Sequence, residues 1–403
     1  MLLACLMLVV MSPGGEAKVE GDRIILGAAV SLTGKYAGSG QHTRNGYDLA
    51  VEIINKGGGV KVGGRSYQLE IQYYDDKSDE GLSAKLAKRL IVEDKIKFLL
   101  GPYSSALTAA MAPVVEKHKI PMIEANGASR SIFSQGYRYV FGVLSTSEQY
   151  LSSVVDLVAE MEMKVGRNPR ELSLGVVVEH DPFSLDVRAG VVARAEALGI
   201  EILADERFPP EFGDSTDIFA RIKELRPTIL VVSGHTKGAI AAGRHISEMK
   251  IDVPVIAMTH CEAGQLIQKF DTAAEGILCA TQWAETLKYR GEIFSSARAF
   301  SRAYLKKYTG YKNVPYQAAE SAAAVIVWKN AFEQSNSFDT EALRTTIAST
   351  NLRTFYGNIK FAPTGQNIAK PTVLRQIQQG KLRVVAPVEW ASWPLVYPRK
   401  APE

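Results

Sequence analysis

Cysteine is scarce in this chain, with three in 403 residues. Cys261 and Cys279 lie 18 residues apart, a spacing that fits no zinc-binding pattern, and no Cys-x-x-Cys pair occurs, so no metal site is expected. The same two residues leave two readings open. They form a bridge across a short loop, contributing about 3 kcal/mol in an oxidising compartment, or they are two buried free thiols. An excess of one charge is lacking as well: Lys and Arg number 47 against 43 Asp and Glu, a formal charge of +4 without basic clusters. That balance argues against a nucleic-acid partner. Long apolar runs are missing beyond residues 2–11, which fall well short of the roughly 20 residues a membrane-spanning helix needs. Hydrolase signatures are missing too, with no G-x-S-x-G, no H-E-x-x-H and no cysteine set beside a suitable histidine. Gly34, Gly38 and Gly40 do not compose G-x-G-x-x-G, and no G-K-[ST] occurs, so neither an enzyme nor a nucleotide cofactor is expected.

What is present describes a globular chain of ordinary composition, 46% hydrophobic and 22% charged, long enough for two or three cores at roughly 100 to 200 residues each. The apolar run 2–11 is followed by Ser12-Pro13-Gly14-Gly15-Glu16-Ala17. Gly15 and Ala17 put small residues where a signal peptidase reads, so cleavage is expected after Ala17, with residues 1–21 a signal peptide and leader and a periplasmic location. No positive residue precedes Lys18, and Leu2-Leu3-Ala4-Cys5 offers a lipoprotein alternative with almost no apolar stretch ahead of the cysteine.

From residue 24 onward, strand-like and helix-like segments alternate. Strands are expected at 24–30, 67–74, 96–100, 120–123 and 139–143, with helices at 40–55, 79–93 and 106–117. Leu151, Val154, Val155, Val158 and Met161 then mark one face of a helix. A second series follows, with strands at 172–178, 200–203, 228–232, 253–258 and 276–282, of which 172–178 is apolar nearly throughout, as in a parallel strand buried on both faces. Helices are expected at 187–198, 294–308 and 317–333. A hairpin follows, pairing 372–378 with 382–386 through Gln379-Gly380-Lys381. The fold expected is α/β, two successive doubly wound parallel-sheet lobes.

In open parallel sheets ligands bind beyond the carboxyl ends of the strands, so the loops after Val30, Leu100, Ile123, Val178, Val232 and Met258 are where function belongs. The first runs Ser31 to Gly40 and leads into a helix N-terminus suited to an anion. The second, Gly101-Pro102-Tyr103-Ser104-Ser105, offers two hydroxyls and backbone N–H groups as a carboxylate cradle, or simply caps the next helix. The third, Glu124-Ala125-Asn126-Gly127-Ala128-Ser129, joins small residues to one amide and one hydroxyl, with Glu124 either a cation partner or a group that holds the hinge together.

Taken in order, DRIILGAAVSLTGKYAGSGQ, LAVEIINKGGGV, YDDKSD, FLLGPYSSALT and IPMIEANGAS resemble the leucine/isoleucine/valine-binding protein family, the type I periplasmic binding proteins of ABC importers. The likeness runs from about Asp22 to the β tail. It implies two lobes joined by three crossovers, 22–146 with 283–362 and 147–282 with 363–395, followed by a tail at 396–403. It further implies a small ligand trapped between the lobes, delivery to a membrane permease, and no catalysis; a monomer is expected. Carried over residue by residue, the ligand contacts fall on Ser104, Ser105, Asn126, Gly127, Ala128 and Ser129, with Tyr36 and Ser39 in the first loop. In the second lobe they fall on Phe183, an aromatic lid, and on His235 and His260; Tyr36, Tyr103 and Phe183 would wall an apolar tail.

One position departs from the family pattern. Amino-acid binders of the family usually carry an acid where His260 stands, to hold the ligand ammonium, whereas a histidine is a weaker, titrating partner, here with Glu262 two residues on. The expected ligand is therefore a small carboxylate, either a hydrophobic amino acid or an aromatic or 2-oxo acid without the amine. A sensory ligand-binding domain of the same fold, or a binder of an amide or other non-amino-acid solute, is the alternative.

Overall fold

The structure, a computed structural model, describes residues 18–208, 215–262, 269–270 and 272–399. The expected signal segment, its cleavage site and Cys5 lie outside the described residues.

The first sheet grows from β1 (Val19–Glu20), β2 (Arg23–Val30), β3 (Val60–Val62), β4 (Arg65–Asp75), β5 (Leu99–Leu100), β6 (Met122–Glu124) and β7 (Val140–Gly142). Helices α1 (Ala37–Lys56), α2 (Glu80–Val92), α3 (Ser105–His118) and the single turn α4 (Arg130–Phe133) connect them. The second comprises β8 (Ser173–Glu179), β9 (Glu201–Phe208), β10 (Ile229–Ser233), β11 (Val255–Met258) and β12 (Leu278–Thr281), with helices α5 (Ser152–Lys164), α6 (Pro182–Leu198), α7 (Thr216–Leu225) and α8 (Thr236–Glu248). Then come α9 (Ala297–Lys307), α10 (Tyr316–Ser335), α11 (Thr340–Ala348) and a two-stranded ladder, β13 (Asn351–Arg353) with β14 (Asn358–Lys360). The final hairpin, β15 (Val373–Gln378) and β16 (Lys381–Ala386), joins the second sheet antiparallel to β12.

The parallel strands of the two sheets run in the same spatial sequence, β4-β2-β5-β6-β7 and β9-β8-β10-β11-β12. In each, the first strand of the series lies between the second and third, so the order in which strands are added across the sheet reverses between β2 and β5 and again between β8 and β10, while all of them run parallel. These are the switch points at which a doubly wound sheet leaves a crevice. The strands are buried on both faces, as their sequences require: every residue of β2 after Arg23 and of β8 after Ser173 is buried, each Val, Leu or Ile contributing about 1.5–3 kcal/mol.

Several elements differ from the sequence expectation for identifiable reasons. β5 keeps only two residues of the expected five, because Ile96 packs into the core against Leu86 and Leu90 of α2 rather than joining the ladder. β9 extends to Phe208, five residues past expectation; its outer half carries Asp205 and Glu206, which pair with Arg188 and Arg221 at a half-exposed edge. The closing hairpin turns through two residues, not three. Gln378 faces Lys381 in register, and Gln379 and Gly380 both take left-handed φ, +55° and +67°. Cys261 and Cys279 form a disulfide with Cα atoms 5.7 Å apart, which settles the alternative left open above.

The chain passes between the sheets three times, after β7, after β12 and before β15, and the three passages are tied together. Gln282 accepts from the Ser145 N–H at 3.2 Å and donates to its carbonyl at 2.9 Å, Ser145 Oγ donates to the Lys370 carbonyl at 2.6 Å, and Lys370 Nζ donates to the Gln282 carbonyl. Burial pushes the Lys370 amine down to about 7, against the pull of Glu320, itself buried with a carboxyl held well above its ordinary range.

Candidate functional site

Both switch points face the space between the lobes, and four helices start there: α1 and α3 after β2 and β5, α6 and α8 after β8 and β10. Unsatisfied N–H groups at such ends favour negative charge. Only α6 is capped in the usual way, by Asp181 accepting from the N–H groups of Phe183 and Ser184. The cap positions of α1, α3 and α8 are Tyr36, Ser104 and His235, and none of their side chains caps its own helix. Ser104 Oγ is fully buried with no aligned hydrogen bond. The capping alternative for this serine is thus not what the structure shows.

Two carboxylates at strand ends fix the loops around these helix starts. Glu124 ends β6, accepts from the Asn126 N–H and, at 2.6 Å, from the Gly127 N–H, while its other oxygen takes the Thr108 hydroxyl at 2.8 Å. Burial raises it to about 7, with the backbone donors opposing. It braces lobe 1 from within, packed so closely on Gly101 that a Cβ there would fall 1.8 Å from its oxygen. Glu179 ends β8 and performs the same service for the second lobe, accepting from the His235 N–H at 2.8 Å.

Side chains from both lobes meet in a wall of rings. Tyr103 Oη lies 2.7 Å from His235 Nδ1 and 3.1 Å from His260 Nε2, which is also 3.2 Å from Tyr316 Oη. Tyr36 packs edge-on to His235 at 5.0 Å between centroids, and Phe183 lies 5.6 Å from both histidine rings and 5.3 Å from Tyr150. Protonation follows from the partners. His260 Nδ1 is 3.0 Å from the Gly234 carbonyl, which can only accept, so that nitrogen carries the proton. Burial, helped by neighbouring His235, pushes His260 down to about 3; the ring is neutral and its Nε2 accepts from the tyrosines. For His235 the burial penalty is outweighed by the Asp181 carboxylate 3.4 Å away, and its affinity for a proton rises.

The sequence-nominated residues fall into three groups. Tyr36, Tyr103, Ser104, Phe183, His235 and His260 converge at the interlobe face, with Ser39 buried beside Tyr103. Ser105, Asn126, Gly127 and Ala128 build the lobe 1 floor: Ser105 Oγ accepts from the Ser129 N–H at 3.1 Å, Asn126 donates to Ser321 at 3.0 Å, and Ala128 is buried. Ser129 turns its hydroxyl across the cleft, to Asp186 at 2.5 Å and the Pro182 carbonyl at 3.2 Å. Sequence reasoning missed Tyr150 and Tyr316, which reach the wall from a crossover and from α10. Neither lies in a loop after a parallel strand, so no positional rule singled them out.

This arrangement, two like-wound α/β lobes with helix starts facing across a ring-lined crevice, is that of a protein that closes on a small solute. Residues 23–381 match the family described as "Periplasmic binding protein", and the chain belongs to it. Its relatives lie in the leucine/isoleucine/valine-binding group of ABC importers. A Leu/Ile/Val-binding protein homolog 8 of Brucella abortus is 22% identical over 90% of each chain. Among solved structures, the branched-chain amino acid binding protein LivJ of Streptococcus pneumoniae, in complex with isoleucine, superposes with TM-score 0.75 at 21% identity, covering 91% of this chain and 100% of that one. A solute-binding protein from Rhodopseudomonas palustris in complex with 3,4-dihydroxybenzoic acid gives TM-score 0.78 at 19% identity, covering 95% and 99%. Among the described residues no helix is long and apolar enough to cross a membrane, and no cluster of His, Cys, Asp and Glu could hold a metal ion.

Proposed function

We propose that this protein captures a small carboxylate with a flat apolar body, of the aromatic or 2-oxo acid kind, and presents it in the periplasm to the permease of an ABC importer. The observation that carries this is the trio of helix starts whose cap side chains leave the helix alone, with the buried Ser104 hydroxyl among them. They offer an anion backbone and hydroxyl donors without a charged partner. The apolar body then lies against Tyr36, Tyr103 and Phe183. At His260 the site presents a neutral ring, not the acid that holds an ammonium in amino-acid binders of the family. The R. palustris neighbour's bound dihydroxybenzoate agrees in class.

A hydrophobic amino acid is the second reading, favoured by one observation: Asp181 Oδ2 is buried and unpartnered, and could receive an ammonium. A thermal-shift screen of the purified chain against hydrophobic amino acids and against aromatic and 2-oxo carboxylates separates the two, because specific binding raises the melting temperature by mass action. Shifts confined to amine-free acids, weakened in a Ser104→Ala variant, support the first. Shifts confined to amino acids and abolished by Asp181→Asn, which keeps the helix cap, replace it with the second. No loss in the serine variant removes the cradle from the site.

A further inference from the structure

His260 also lines a chamber of about 490 Å³ between the lobes. Its walls come from both lobes: His42 of α1, Tyr311 and Gln317 around the start of α10, Thr236 of α8, and the pair Glu262 and Arg375. The pair is unusual for its burial. Arg375 is 7% exposed, its guanidinium is 3.3 Å from Glu262, and its Nε has no hydrogen-bond partner. Neither oxygen of Glu262 accepts an aligned hydrogen bond.

Two features of the fold hold the pair in place. Cys279 is the register partner of Arg375 in the antiparallel ladder between β12 and β15, and its disulfide binds Cys261, the residue before Glu262. The bond and the ladder together bring Glu262 onto Arg375. A buried pair kept with hydrogen-bonding capacity unspent costs stability unless something takes it up. The charges of the pair cancel, the neighbouring imidazoles His260 and His42 are held neutral by burial, and Lys312, the remaining charged residue of the lining, is exposed. A further full charge would have to displace one member of the pair. A neutral group that both donates and accepts fits both members at once, the guanidinium donating to it and the carboxylate accepting from it.

We infer that this chamber is a second ligand subsite, in which Arg375 and Glu262 together hold a hydroxyl or carboxamide at the end of the ligand remote from its carboxylate. The inference rests on the carboxylate reading above and narrows it to carboxylates bearing such a group. A site built to hydrogen-bond a hydroxyl rejects the analogue lacking it far more strongly than an apolar pocket discriminates.

The test uses matched pairs that cover both head groups: benzoate against 4-hydroxybenzoate, and phenylalanine against tyrosine, with terephthalate as the doubly charged probe. Calorimetry on the wild-type chain is expected to show the hydroxylated member of whichever pair binds at least about tenfold tighter, with terephthalate weaker than either aromatic acid. Because Arg375→Gln alone strands a buried carboxylate, the variant of choice is Glu262→Met/Arg375→Met, which removes both charges at similar volume. It is expected to bring the hydroxylated and plain members to within about threefold of each other. Equal affinities within both pairs in the wild type, a preference that survives the Met variant, or tightest binding by terephthalate overturns the subsite while leaving the carboxylate reading intact. Binding by none of the five probes removes the subsite, and the 2-oxo acids of the thermal-shift screen then decide the carboxylate reading.

Discussion

His260 shows how one buried side chain couples the site to pH. Its folded-state value of about 3 lies below the ordinary 6.5, so between those limits the unfolded chain binds a proton that the native ring refuses. Stability from this group is therefore present above about pH 6.5 and lost as the medium is acidified. Several carboxyls, including Glu124 and Asp76, shift in the opposite sense through the same window, so the readable quantity is a difference between proteins. The stability of the wild type minus that of His260→Gln is expected to rise by about 1.4 kcal/mol per pH unit between pH 4 and 6, measured by urea unfolding at each pH. A flat difference would mean that the ring is protonated in the folded protein. At this scale the loops pointed to Tyr36, Tyr103 and Ser104 and the family likeness to Phe183, His235 and His260, and the rings of Tyr36, Tyr103, Phe183, His235 and His260 do meet. What could not be read was direction. Ser129 sits in the right loop, yet its hydroxyl is drawn to Asp186 on the opposite lobe, a contact 57 residues away in sequence.

Among the elements, the loop after β11 depends most on covalent support. The disulfide closes an 18-residue separation and fastens His260 and Glu262 to β12. Cys261→Ala/Cys279→Ala is expected to cost about 3 kcal/mol of stability, read from the denaturant midpoint, and to weaken ligand binding beyond what the stability loss explains. Unchanged affinity would show that the loop holds its shape without the bond. Elements with continuous apolar runs, such as β2, β8 and β10, were legible because burial on both faces leaves an unmistakable pattern. The outer half of β9 was not, since at an edge its charged residues find partners on neighbouring helices. Helix α11 escaped notice because it buries only Leu343 and Ile347 and owes its start to the Asp339 cap.

For the molecule as a whole, binding under the solute-capture proposal is a balance between lobes held apart and lobes held together. Ser129 to Asp186 and Tyr103 to both histidines span the cleft, while Ser145, Gln282 and Lys370 join the passages at the hinge. Asp186→Ala removes one cleft contact without touching the ring wall. By small-angle scattering its radius of gyration without ligand is expected to exceed that of the wild type, and its affinity to fall about three- to tenfold, because part of the binding free energy must then supply closure. An unchanged radius with unchanged affinity would make that contact incidental.

The sequence by itself determined the α/β class and the ordered series of loops, because strand burial and helix periodicity are local properties written into neighbouring residues, and the likeness of its motif series pointed to the family. The tertiary structure alone decided that Ser129 turns to Asp186 and that the Ser104 side chain does not cap its helix, that two cysteines join, and that Glu262 meets Arg375. Each of those contacts depends on bringing together segments separated by between 18 and 113 residues, through sheet order and register that no local pattern encodes.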